Sequence, residues 1–287
     1  MVKKKSKTAG KKTPTMAKTA DLHVLYQKAV QSSEFEIEFY EDRYREIRGK
    51  RKIPMVLRED FCGTGLLIKD WCESNPKRRA IGVDLCSDTL KWGVDNNIRP
   101  AGASVADRIT LLNENVLSVV TEKVDVICAM NFSYCIFETR ELLKSYFVNA
   151  LKGLKSDGLF MCDLMGGTNT IDECEESHEI EGENATYIWE QASYNPIDNH
   201  TLCHIHFEFD DGSRIDKAFS YEWRLWTIPE VKELLLEAGF SKVSVYWEEF
   251  IEDDDPDNDY MEGTGYYREV TEVPQQESWL TYIVAEV

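Results

Sequence analysis

The chain is 287 residues long, 43% hydrophobic and 11% aromatic, enough for one large domain, or a domain with an insertion, built on a substantial core. Its formal charge of -19 is unevenly placed: residues 1–20 carry seven lysines and no acid, leaving 26 of the 33 bases to face all 52 acids in the remainder. So acidic a body repels phosphate backbones and anionic lipid, which disfavours nucleic-acid and membrane partners, and no apolar run approaches the roughly 18 residues that span a bilayer.

The opening stretch, M-V-K-K-K-S-K-T-A-G-K-K-T-P-T, is too poor in apolar side chains to bury surface, so residues 1–20 are expected to form a disordered basic tail. It has no apolar run after the lysines, as a signal peptide would. The lysine cluster could serve as a nuclear address, but a solvated tail on a cytoplasmic protein is the simpler reading. From residue 21 to Arg48, Leu22, Leu25, Tyr26 and Val30 fall at helical spacing, which predicts one or two amphipathic helices.

Strand and helix patterns then alternate. Strands are expected at Met55–Phe61, Arg79–Asp84, Arg108–Leu112, Val124–Met130 and Gly158–Leu164, and helices at Leu66–Glu73, from Ser87 as cap to Asn97, and at Arg140–Leu154. Short apolar strands joined by helices predict an α/β doubly wound, mostly parallel sheet covered on both faces. The rhythm changes near residue 170. Asn184–Ala192, Leu202–Phe209 and Ser213–Tyr221 read as strands, the last two flanking the hairpin turn D-D-G. This predicts an antiparallel insertion over 170–225, after a core of 21–169. The core resumes over 226–287 with a helix at Ile228–Ala238, started by Thr227 and Pro229 and stopped by Gly239, and strands at Lys242–Glu248 and Ser278–Val284. The acidic D-D-D-P-D-N-D between those strands lacks the spacing of a calcium loop and reads as a solvated turn. No cysteine pair has C-x-x-C spacing, and several of the eight lie in apolar runs, so reduced buried thiols are expected.

Open parallel sheets bind ligands beyond the C-terminal ends of their strands. The first strand ends in R-E-D-F-C-G-T-G, residues 58–65. This turn has glycines for close backbone approach at Gly63 and Gly65, an acid, Glu59, before them, and Cys62 within. It lacks the Lys-Ser/Thr of a phosphate loop and the third glycine of a dinucleotide loop. The second strand ends in Asp84 and Leu85, nineteen residues after Gly65, where a carboxylate can hold both hydroxyls of a ribose. The third runs into Glu114 and Asn115, placed to meet an adenine edge; capping a helix is their alternative role. The fourth ends in N-F-S-Y, bringing Asn131 and Tyr134 to the mouth. A turn flanked by acids suits a ligand with an amino group, a sulfonium and a ribose, and suits a pyrophosphate badly. That points to S-adenosyl-L-methionine. A nicotinamide dehydrogenase is the weaker rival.

E-D-F-C-G-T-G followed by G-V-D-L resembles the nucleotide-binding core of class I S-adenosylmethionine-dependent methyltransferases. The resemblance covers residues ~55–165 and, by pattern, the final helix and strands. It implies a seven-stranded Rossmann-like sheet with the last strand antiparallel. Glu59, Phe61, Gly63 and Gly65 occupy the places of the family's acid and three glycines, Phe61 standing for the first glycine. Asp84 matches the ribose-binding acid, and Asn115 falls near the adenine-contacting position. Tyr26 and Arg58 are candidates for the methionine carboxylate.

Methyl transfer from a sulfonium requires alignment and desolvation more than acid–base groups, so the acceptor side is less legible. N-F-S-Y lacks both prolines of the Asn/Asp-Pro-Pro-Tyr/Phe loop that serves planar amino acceptors, and reads as a loop closing over the methyl group at Asn131 and Tyr134. Y-E-W-R-L-W, residues 221–226, offers Tyr221 and Trp223 as aromatic walls for a cationic amine and Arg224 for an acceptor carboxylate. His204 and His206 share a strand face but have no third ligand nearby, so no metal is expected and exposed histidines are the simpler reading. The insertion resembles the substrate-capping sheets of small-molecule methyltransferases. A small amine or hydroxyl acceptor is therefore expected. A basic polypeptide acceptor, or a non-catalytic cofactor-binding subunit, is the alternative.

Overall fold

The computed structural model describes residues 14–250 and 263–287; most of the basic tail and the D-D-D-P-D-N-D segment lie outside them. Three helices come first: α1 (Met16–Thr19), α2 (Leu22–Val30) and α3 (Ser33–Arg48). The core then alternates β1 (Val56–Asp60), α4 (Leu66–Ser74), β2 (Arg79–Val83), α5 (Ser87–Gly93) running into a π turn at Val94–Ile98, α6 (Ala103–Ala106), β3 (Ile109–Leu112), β4 (Val124–Ala129), α7 (Arg140–Gly153) and β5 (Leu154–Gly166). The insertion supplies β6 (Cys174–Glu179), β7 (Ala185–Asn195), β8 (His200–Phe209) and β9 (Arg214–Arg224). Last come α8 (Ile228–Ala238), β10 (Lys242–Phe250), β11 (Gly263–Val270) and β12 (Trp279–Glu286).

The large sheet has the order β11-β10-β12-β5-β4-β1-β2-β3. β1 pairs parallel with β2 and with β4, and β12 runs antiparallel to β5. Seven strands are those expected, with the last antiparallel. The eighth, β11, adds to the edge beside β10; two glycines and mostly polar residues hid it in the sequence. Alternation along the strands divides the core into two layers. Phe160, Cys162 and Leu164 of β5 pack toward α7 and α8, whereas Leu159 and Met161 pack toward α3 and α4.

The ends of α8 are set by local chemistry. Thr227 and Glu230 form a reciprocal capping box, Pro229 sits in the first turn, and Gly239 closes the helix at φ 110°. α5 starts differently from the expected serine cap: Cys86 is the cap residue, and the Asp84 carboxylate takes its N–H.

The four-stranded antiparallel sheet has the order β6-β7-β8-β9. One of its strands, β6, was not expected, because C-E-E-S-H-E is an exposed edge with no apolar alternation. Leu25, Tyr26 and Val30 of α2 pack on this sheet against Tyr187, Ile205 and Phe207. The disordered-tail expectation fails for residues 14–20. Met16 and Ala17 donate their N–H groups to Asp211 Oδ2 (2.8 Å) and Ser213 Oγ (3.0 Å) at the β8–β9 turn. Among the described residues no helix is long and apolar enough to cross a membrane. The eight cysteines are unpaired, six of them buried.

Candidate active site

Strand order reverses between β1 and β4, and the loops after those strands open a cleft there. All five residues of β1 are buried. Glu59 lines the cleft, while Arg58 and Asp60 point to the opposite face, as period-two alternation requires. The turn after β1 has left-handed backbone at Phe61 (φ 60°), Gly63 (φ 52°) and Gly65 (φ 67°). Phe61 thus keeps the conformation a glycine would adopt, at a cost of about 1–2 kcal/mol. Its ring packs against Phe137 and Tyr146, which offsets that strain. Asp84 fastens the turn: Oδ2 accepts from the Gly63 N–H at 2.9 Å, and Oδ1 from the Cys86 N–H at 2.8 Å. Gln27 of α2 donates to Thr64 Oγ1 at 2.6 Å, joining the N-terminal helices to the turn.

Above the turn lies a cavity of about 300 Å³. Glu59, Phe61, Cys62, Gly63 and Asp84 form its floor and one wall, with Tyr26, Asn131, Tyr221 and Trp223 across from them. Glu59 is only 6% exposed, and its Oε2 has no hydrogen-bond partner. Burial pushes its carboxyl well above the ordinary range, and the charges of Glu36 and Asp84 push the same way.

A second cavity, of about 340 Å³, adjoins the first and shares Tyr26, Asn131, Tyr221 and Trp223 with it. Phe132, Met165, Tyr187 and Trp189 line its far side, with Glu176 and His178 from β6. Tyr221 stacks on Trp223 with ring centroids 4.5 Å apart, and Trp189 lies 5.9 Å from Trp223. The wall between the cavities is held from behind. Asn131 and Phe132 both take φ 56°, and their N–H groups donate to the two oxygens of Asp163 at 2.7 and 2.9 Å. Burial raises Asp163 to about 7, against those two stabilising hydrogen bonds.

Of the residues singled out from sequence, Tyr26, Glu59, Cys62, Gly63, Asp84, Asn131 and Tyr221 line the first cavity. Several others do not. Arg58 is fully buried on the far face, paired through two hydrogen bonds with Asp60 (2.7 and 3.1 Å), so it cannot meet a ligand carboxylate in the cleft. Tyr134 is also fully buried, and its hydroxyl donates to the Asp163 carbonyl at 2.7 Å. Arg224 lies outside both cavities: it pairs with Glu230 at 2.8 Å, donates to the Glu138 carbonyl at 3.1 Å and stacks on Trp226 at 3.8 Å. Gly65 starts α4 beneath the turn rather than lining the cavity.

Leu85 is 66% exposed, and Asn115 is exposed in a turn, its Oδ1 accepting the Leu117 N–H, with no helix following for it to cap; neither lines the cavity. His204 and His206 are not exposed as expected but 4% accessible each. His204 meets Ser220 at 2.8 Å, and His206 is fixed between Glu190 (2.8 Å) and the Lys217 N–H (3.1 Å). Among the described residues no cluster of side chains could hold a metal.

Sequence reasoning missed His23, Gln31, Thr64, Thr89 and Phe219 in the first cavity and Trp189 in the second. Trp189 is displayed by strand alternation once β7 is known; the others depend on how α2 and the second sheet meet the cleft.

No protein-family model matches the sequence, and a search of curated proteins finds no match. Solved structures are similar at low identity. A S-adenosylmethionine-dependent methyltransferase from Clostridium acetobutylicum is 18% identical, with TM-score 0.62, over 92% of this chain and 96% of that one. The amino pentose methyltransferase of calicheamicin biosynthesis from Micromonospora echinaspora, solved with S-adenosylmethionine bound, is 13% identical with TM-score 0.64 over the same shares. A sugar N-methyltransferase from Streptoalloteichus is 16% identical with TM-score 0.59, over 100% of this chain and 99% of that one. The chain therefore has the Rossmann-like fold of class I S-adenosylmethionine-dependent methyltransferases, with an antiparallel sheet inserted after β5.

Proposed function

We propose that the protein binds S-adenosyl-L-methionine in the first cavity and transfers its methyl group to a small-molecule amine or hydroxyl acceptor in the second. The observation that carries this reading is the pair of adjoining cavities with one shared wall. One is floored by a glycine turn and two acids; the other is lined by aromatic rings. The first suits the cofactor on two counts. Each Asp84 oxygen accepts a single backbone N–H, which leaves lone pairs for a ribose diol. A side chain at Gly63 would meet nothing nearer than the Thr89 methyl at 4.0 Å, so the space above the turn is open to a ligand.

The cofactor supplies an electrophilic methyl on a sulfonium. The chain supplies alignment and a dry path. Tyr26, Tyr221 and Trp223 face both cavities, so they flank the line between donor and acceptor and exclude water from it. Trp189, Tyr187 and Phe132 offer ring faces to an amine, and Glu176 offers a carboxylate at the rim. A volume of about 340 Å³ fits a small acceptor. The amino pentose and sugar N-methyltransferases of like fold support the same reading.

Incubation with methyl-labelled S-adenosylmethionine and a fractionated cell extract tests the acceptor class. Label is expected in the small-molecule fraction, and label confined to protein would reject it. Trp189→Ala should raise the acceptor KM about tenfold or more, the loss of one aromatic contact at a buried site. It should leave cofactor affinity within a factor of about two, since Trp189 lines the second cavity and not the first. A cofactor affinity that falls as far as acceptor KM rises would place the acceptor elsewhere.

A further inference from the structure

The second cavity does not end at Trp189. Met165, Glu176 and Trp189 also line a narrow space of about 70 Å³, with Thr170, Gln191 and Ser278 around it. Met165 and Thr170 in turn line a further cavity of about 370 Å³. The three spaces follow one another along a crevice. The end of β5, the start of β12 and the start of α8 form one side, and β7 with the β7–β8 turn of the inserted sheet forms the other.

The narrow part is held by specific contacts. Gln191 is buried, and its Nε2 donates to the Asn169 and Asp172 carbonyls at 2.9 and 3.1 Å, which fixes a 3-10 turn at Thr168–Ile171 beside the passage. Thr170 Oγ1 donates to the Gly167 carbonyl at 2.8 Å. Gly166 pairs with Trp279 across the sheet, and a Cβ on Gly166 would lie 2.1 Å from Trp279 Cζ2. The indole therefore stands where a side chain at 166 would be, and it forms a wall of the far cavity together with Trp226.

Size and polarity separate the three spaces. An apolar cavity of about 150 Å³ takes up one benzene. A passage of about 70 Å³ therefore admits a chain of atoms and excludes a ring. The far cavity, at about 370 Å³, has room for a ring again. Among the described residues its lining has no charged side chain: Met165, Tyr194, Trp226 and Trp279 give it apolar and aromatic surface, and Thr170 and Asn199 are among its polar groups. Tyr194 already donates its hydroxyl to Asn199 Oδ1 at 2.8 Å. The second cavity carries Glu176 and His178 instead. A cationic head suits the second cavity, and an uncharged ring suits the far one.

We propose that the acceptor is an elongated amine: the nitrogen that receives the methyl group lies in the second cavity, a slender chain threads past Met165 and Thr170, and an uncharged aromatic ring fills the far cavity against Trp226 and Trp279. The inference rests on the acceptor reading above and narrows it to a molecule of two parts. It gives Thr170, Trp226 and Trp279 a role in choosing the substrate, although none of them lines either cavity where the methyl group passes. The ring supplies binding energy remote from the reacting nitrogen, which serves selection and alignment. The passage adds a second filter, because a rigid acceptor with rings along its whole length does not fit through it.

Titration of the full chain, saturated with S-adenosylhomocysteine, against two series of amines tests this. One series is the n-alkylamines and the other the phenylalkylamines with the ring at the far end, each with chains of roughly one to eight carbons. At each length the ratio of the two affinities isolates what the ring adds. It is expected to stay near one while the ring would have to occupy the passage. It should rise about tenfold or more at the length where the ring reaches the far cavity, the effect of burying one aromatic ring. Thr170→Phe, which narrows the passage, and Leu225→Trp, which fills the far cavity from the segment after β9, should each abolish that step. Both should leave affinity for n-propylamine, the head alone, and for S-adenosylhomocysteine within a factor of about two. Melting temperature shows which variants are folded, and either one suffices. A ring that adds the same factor at every length, or a step that a folded variant retains, would overturn the elongated acceptor and leave the acceptor cavity standing. Failure of every amine to bind the saturated wild type would overturn the two together.

Discussion

Arg58→Ala is expected to lower unfolding free energy by about 3–5 kcal/mol, the cost of stranding one member of a buried ion pair. Arg58 and Asp60 are both fully inaccessible through their side chains. Asp60 also accepts the Tyr146 hydroxyl at 3.0 Å. Burial already raises the Asp60 carboxyl against the pull of Arg58 and Tyr146. Without the guanidinium it rises further. A carboxyl raised in the folded state binds protons that the unfolded chain does not, so folding loses free energy as pH climbs from near 4 through the folded pKa. The deficit of the variant should therefore be smaller at pH 5 than at pH 8. Urea unfolding at both values measures it, and a loss under about 1 kcal/mol at pH 8 would contradict the pairing. Arg58→Met combined with Asp60→Leu should recover most of the loss, because the desolvation of both charges goes with them.

Asp84→Ala is expected to weaken S-adenosylhomocysteine binding by about 1.5–3 kcal/mol, roughly ten- to 150-fold, the range for hydrogen bonds to a charged group. Two losses combine. The ribose would lose its acceptor, and the Gly63 and Cys86 N–H groups would lose theirs. Asp84→Asn separates them, since the amide retains one acceptor oxygen and should fall between alanine and the parent. Calorimetry on the folded variants reads the effect, and affinity unchanged in Asp84→Ala would remove Asp84 from the site.

What the sequence disclosed and what it withheld divide along the range of the interactions. The ends of α8 were legible because Thr227, Pro229 and Gly239 act within one helix, whereas the reciprocal partner Glu230 emerged only in the structure. The turn at 61–65 and Asp84 were legible because a strand, a glycine turn and the acid after the next strand fix their relation by topology alone. Arg58 was misassigned although alternation held the answer: Glu59 in the cleft puts its neighbours on the other face. Tyr134 and Arg224 were lost to distant partners, a carbonyl of β5 for one, and Glu230 with the Glu138 carbonyl for the other. His204 and His206 alternate with Cys203, Ile205 and Phe207 in sequence, and Glu190, Lys217 and Ser220 from adjacent strands enclose them. Strands β6 and β11 are edges, where no buried face imposes a pattern.

The central claim is that the cleft between β1 and β4 is an S-adenosylmethionine site, and one equilibrium titration tests it most directly. Purified protein titrated with S-adenosylmethionine, with melting temperature followed in parallel, is predicted to show saturable binding at one site per chain. The midpoint should rise with ligand concentration as mass action requires, and excess NAD should neither displace the ligand nor stabilise the fold. Absence of saturable binding, or stabilisation by NAD in place of S-adenosylmethionine, would contradict the account.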